Sequence, residues 1–124
     1  RFMMPLEDDT IRYMDDEMQE YHKKNSENLA MPYMGICSGF FHNFIEKGED
    51  SVVDSPYYTK ENIRLAERVR MLTEKYQATV TQVVLGFFTC RDFQCVPLYG
   101  PRSAEHLKEA MGSFEIPFKK EDYE

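Results

Sequence analysis

One short run near the carboxyl end gathers the residues best suited to holding a phosphate: Gly100, Arg102 and Ser103. Arginine offers a planar, permanently charged fork to phosphate oxygens, and glycine lets backbone approach a ligand closely. Ser103 is a natural helix N-cap, and the first amides of a helix lack intrahelical partners at the positive end of its dipole. An extended segment leading through Gly, Arg and Ser into a helix therefore has the physics of an anion site. The same run also reads as simple capping, because many turns into helices end in glycine and a serine cap.

Other chemistry is sparse. Ser38-Gly39 beside Phe40 and Phe41 reads as a tight turn next to core aromatics. Cys37, Cys90 and Cys95 form no CxxC pair and are odd in number, so they read as reduced, inert thiols of a cytoplasmic protein rather than a disulfide framework. A nucleophilic Cys37 would need an imidazole within hydrogen-bond reach, and sequence alone cannot bring His42 there. His22, His42 and His106 show no HxxxH or HExxH spacing, which leaves a zinc site without support.

The elements that must position these residues follow from periodicity. Asp15 or Asp16 can cap a helix running to about Asn25, with Met14, Met18, Tyr21 and His22 on one face. Residues 29–37 (LAMPYMGIC) read as a short buried strand, and residues 42–58 as a long loop rich in Gly, Asp, Ser and Pro. Thr59 caps a helix to about Gln77, and Thr79 with Gln82 forms a capping box for a helix apolar around most of its circumference. Residues 93–98 (FQCVPL) read as a second strand, and Ser103 opens a last helix to Met111. Strands separated by helices imply an α/β class with parallel pairing.

Composition narrows the function classes. The chain has 124 residues and a net charge of −7, all of it residing in residues 1–62, where Glu7, Asp8, Asp9, Asp15, Asp16, Glu17 and Glu20 cluster. Such a surface repels a phosphate backbone, so no nucleic-acid partner is expected. The longest apolar stretch, residues 31–41, is interrupted by Pro32, Gly35, Ser38 and Gly39 and falls short of the roughly 20 residues of a membrane span, so no membrane is expected. The length excludes a complete (β/α)₈ barrel, which needs about 250 residues. The first residue, Arg1, is not methionine, which suggests a trimmed product.

Three segments in order carry a family resemblance. VPLYGPRSAEHLKEAM (residues 96–111) resembles the last strand–turn–helix of the aldo-keto reductases, where a P-I-P-G-x-R-[ST]-x-E-Q-L-x-E-N pattern recurs. YMGICSGFF (33–41) resembles that family's seventh strand, and NIRLAERVRMLTEKYQATVTQVVLGFF (62–88) its penultimate helix pair. The match runs from about Pro5 to Tyr123 and implies one partial domain, residues 1–124, holding the C-terminal βα units of a TIM barrel with two to three parallel strands.

The resemblance implies an NADP-dependent oxidoreductase acting on a small-molecule carbonyl, with hydride delivered from NADPH and a tyrosine as general acid. Gly100, Arg102 and Ser103 would hold the 2′-phosphate and adenosine, His106 and Glu109 would lie beside them, and Gly39 and Phe40 near the pyrophosphate. This sequence departs from the pattern at Ala110, where the family has asparagine, and at Gly35-Ile36, where it has Ser-Gln. The family's catalytic Asp, Tyr, Lys and His belong to its first half, so no residue here is assigned a catalytic role. The expectation is a cofactor-end fragment, inactive alone, that self-associates through exposed Val83, Val84, Phe87 and Phe88. The alternative is a non-catalytic α/β interaction module.

Overall fold

The computed structural model describes residues 13–33 and 35–124. Five α-helices order the chain: α1 (Asp16–Lys24), α2 (Phe40–Lys47), α3 (Lys60–Tyr76), α4 (Val80–Thr89) and α5 (Ala104–Met111). Short 3₁₀ turns stand at Cys37–Gly39, Glu49–Val52, Gly112–Glu115 and Lys120–Tyr123.

Local capping chemistry sets the helix starts. Asp15 accepts from the Met18 amide at 2.8 Å, Thr59 from Asn62 at 3.1 Å and Ser103 from His106 at 3.2 Å. Thr79 and Gln82 form the full capping box, with bonds of 3.2 and 3.1 Å.

The α/β expectation does not hold. Among the described residues there is no β-strand, and the fold is helical. The two segments read as strands do lie side by side, but only as an isolated parallel bridge between Ala30 and Cys95. Ala30 donates to the Gln94 carbonyl and accepts from the Val96 amide, both at 2.9 Å. One step on, Leu98 donates to the Pro32 carbonyl at 2.9 Å, and there the ladder stops. Pro32 has no N–H to donate to the Val96 carbonyl, the bond that would come next in register, so the pairing does not extend into a strand. Met34, within the first of these runs, lies outside the described residues, as do Glu7, Asp8 and Asp9 of the acidic cluster.

The expected loop over 42–58 is corrected too. Residues 42–47 belong to α2, whose Phe40, Phe41 and Phe44 are buried together, and Gly48 (φ 89°) ends the helix. Two adjacent aromatics and a third four residues on make a helical stripe once a core is present to receive them.

That core is organised by α4. Its Val80 and Val84 join the cluster of α2 and α3 with Cys37, Val52, Tyr57 and Ala66. Phe88 joins Ala30, Phe93 and Cys95 beneath the paired segments, and Val83 joins Leu72 and Tyr123. Val83, Val84 and Phe88 are therefore buried and Phe87 half-buried, so these side chains do not form the exposed association surface expected of them.

The chain's end is latched onto this helix pair. Tyr123 donates its hydroxyl to the Val83 carbonyl at 2.8 Å, and Arg68 grips the Asp122 carbonyl with Nε and Nη2 at 3.1 and 3.0 Å. The Asp122 carboxylate accepts from Lys75 at 2.6 Å and from the Tyr76 hydroxyl. Gly86 makes room for the latch: a Cβ there would overlap the Phe118 ring and reach 2.8 Å from the Tyr123 hydroxyl.

Gly86→Ala should thus destabilise the protein by about 1–3 kcal/mol from overpacking, even though alanine favours helix by about 1 kcal/mol, as read from urea unfolding. The bonds from Lys75 and then Tyr76 hold the Asp122 carboxyl below its ordinary value of 3.8. Stability from this shift is complete above the ordinary value and is lost as pH falls through the lowered one. Asp122→Asn should therefore lower the melting temperature at pH 7, with the gap to the parent chain closing below about pH 4.

Candidate functional site

Parallel pairing has a topological consequence. Both segments leave their bridge at the same end, one through residues 35–39 into α2 and the other through residues 99–103 into α5. The exits stay close: a Cβ on Gly35 would come to 2.9 Å from that of Pro97, a contact that only glycine avoids here. Two helix N-termini, each the positive end of a helix dipole, are reached from one end of the pair.

At the second exit the geometry suits an anion. Gly100 faces open space, and Arg102 and His106 are exposed. Among the described residues Arg102 makes no ion pair, which leaves its guanidinium open to a ligand. Ser103 accepts from His106 N and also, through its carbonyl, from Leu107 N at 3.1 Å, which leaves the Ala104 and Glu105 amides at the helix mouth. Glu105 places a carboxylate in the same first turn and offsets part of the dipole's attraction for a second anion.

Helix α5 is held from behind. Gln82 uses its Oε1 in the capping box of α4, while its Nε2 donates to the Glu109 carbonyl at 3.0 Å. No motif flags that double role; the signal is only a capping-box glutamine with a donor to spare. Burial, and then the Glu109 carboxylate, raise the Tyr99 hydroxyl above its ordinary range, which places Glu109 beside the turn. Ala110 is buried at 5% exposure and faces the core.

The first exit is built differently. Cys37, Ser38 and Gly39 all carry positive φ (51°, 52° and 78°), an arrangement that costs each non-glycine residue about 1–2 kcal/mol. The Phe40 ring, 2% exposed, anchors the turn by packing at 5.8 Å from Phe41 and 6.3 Å from Tyr57. The amides of Gly39 and Phe40 close the turn by donating to Ile36 and Cys37 carbonyls. The structure thus places Gly39 and Phe40 at the same end as Arg102, with the Phe40 side chain committed to the core.

The chain is matched over residues 7–124 by the family model described as "Aldo/keto reductase family". It belongs to the aldo/keto reductase family. Comparison with curated proteins and with solved structures found no match. In this aldo/keto reductase chain, Gly100, Arg102, Ser103, His106 and Glu109 occupy one turn and the helix it opens.

Other polar groups have structural duties. His22 stacks on Phe93 at 5.5 Å and its Nδ1 lies 3.2 Å from the Asn28 carbonyl, while the Tyr21 hydroxyl accepts from Asn28 at 3.0 Å. A cavity of about 620 Å³ lies between α1, α3, α4 and residues 29–33, lined largely by apolar side chains such as Met18, Leu72 and Val83. None of the seven site residues lines it, so the turn and the cavity are separate features. Among the described residues no cluster of His, Cys, Asp and Glu could hold a metal, and no helix is long and apolar enough to cross a membrane.

The thiols are not poised for attack. Burial pushes Cys37 up to about 12 and Cys95 up to about 11, and raises Cys90 as well. A disulfide reagent at pH 8 should label half-buried Cys90 first and Cys37 last, with full reaction only after unfolding; rapid labelling of Cys37 in the native protein would contradict this.

Proposed function

We propose that this chain supplies the adenosine end of an NADP site in an oxidoreductase that interconverts small-molecule carbonyls and alcohols. The observation that carries the reading is the Arg102 guanidinium, exposed at the mouth of α5 and without an ion pair among the described residues. In it, Arg102 and the Ser103 hydroxyl take the 2′-phosphate, and the free amides of α5 add to the field. The open space over Gly100 admits the ribose, while His106 and Glu109 border the adenosine. Gly39 sets the left-handed turn at the neighbouring exit and Phe40 fixes it to the core, so this pair shapes the approach to the pyrophosphate.

The cofactor, when bound, supplies hydride for the carbonyl carbon. This chain's own residues bind and orient it; none is assigned to proton transfer, because the motifs matched are those of the family's cofactor end. Ala110, buried and without an amide, offers adenine nothing, which predicts weaker binding than the full family pattern would give. Free thiols at three positions fit the reducing cytoplasm.

Arg102→Ala should weaken NADP by about ten- to a hundredfold, the worth of a charge-assisted contact, and leave NAD nearly unchanged, since only NADP carries the 2′-phosphate. Calorimetric titration of both dinucleotides checks this. Equal weakening of the two would remove the assigned role.

A further inference from the structure

The cavity of about 620 Å³ between α1, α3, α4 and residues 29–33 has no part in the NADP reading, yet its size is that of a small-molecule pocket, about 300–1,000 Å³. Among its lining residues Leu72, Val83 and Val84 are buried, while Leu29, Met31 and Tyr33 are exposed by 46% to 79%. It therefore runs from the helix core out to solvent along residues 29–33. Three methionines, Met14, Met18 and Met31, line it with flexible, polarisable side chains that adapt to guests of differing shape.

The charged groups on its lining are already engaged. Arg68 holds the Asp122 carbonyl, and the Asp122 carboxylate accepts from Lys75 and Tyr76. Glu124 is exposed and lies 3.7 Å from Lys120, and the His22 ring stacks on Phe93. An ionic guest would lose its hydration there without gaining a free counter-charge, a large cost. Water needs about two to four polar partners, which an apolar wall does not supply, so it competes weakly. We propose that the cavity binds a neutral small molecule with an extended apolar body, at a site separate from the Arg102 turn.

Calorimetric titration of the whole chain with decanol should show one site per chain with a micromolar constant, and the alcohol should raise the melting temperature, as a guest of the native state must. Octanol, two methylenes shorter, should bind about tenfold more weakly. Decanoate, equal in chain length but anionic, should lose at least about tenfold as well. Met31→Glu should weaken decanol at least about tenfold while preserving the circular dichroism. Val96→Glu, exposed on the paired segment but outside the cavity lining, should bind as the parent does. Should Met31→Glu perturb folding, Tyr33→Glu, at the more exposed lining position, takes its place. Adenosine 2′,5′-bisphosphate should leave the decanol constant unchanged, which keeps this test apart from that of the NADP site. Neither heat nor stabilisation on adding decanol, equal binding of decanoate, or a Met31→Glu constant no weaker than that of Val96→Glu overturns the proposal.

Discussion

Burial of α4 on three sides fixes where the other elements stand. Its Val80 and Val84 receive α2 and α3, its Phe88 carries the paired segments, its Val83 takes the tail, and Gln82 at its start secures α5. Packing one helix against several neighbours leaves little freedom in any of their positions, because cores at crystal-like density transmit displacements rather than absorb them. The candidate turn at Gly100, Arg102 and Ser103 sits at the end of that chain of constraints. Phe88 supports Ala30 and Cys95, their bridge aligns the two segments, and the alignment brings both exits to one end.

Much of the local structure is legible in the sequence. The caps Asp15, Thr59, Thr79 and Ser103 stand where side-chain chemistry requires them, since a cap is a bond between residues three apart in sequence. The strand reading failed for a reason also local in origin. Residues 29–33 and 93–98 have the apolar content of buried strands, but a ladder needs alternating donors, and Pro32 removes the one due between the Ala30 and Leu98 bonds. The helix α2 was missed because Ser38-Gly39 reads as a stop and the acidic, glycine-containing stretch after it reads as loop. Only the burial of Phe40, Phe41 and Phe44 under Val80 and Val84 reveals the helical face.

The candidate site divides along the same line. Gly100, Arg102 and Ser103 were legible because turn chemistry and capping are written in adjacent residues. Phe40 was legible as a position and not as a role, since its ring packs on Tyr57, distant in sequence. The support of α5 by Gln82 was illegible, because residues 82 and 109 are joined only through the fold. Local signals thus mark the candidate turn, and tertiary packing decides which neighbouring groups face it.

The most direct measurement is a backbone amide NMR titration with adenosine 2′,5′-bisphosphate, the fragment of NADP that carries the disputed phosphate. The account predicts that chemical-shift changes concentrate in residues 99–106, with the Ala104 and Glu105 amides moving farthest, and that adenosine 5′-monophosphate leaves them still. Changes centred instead on Leu72 and Val83 beside the apolar cavity, or equal responses to the two nucleotides, would contradict it.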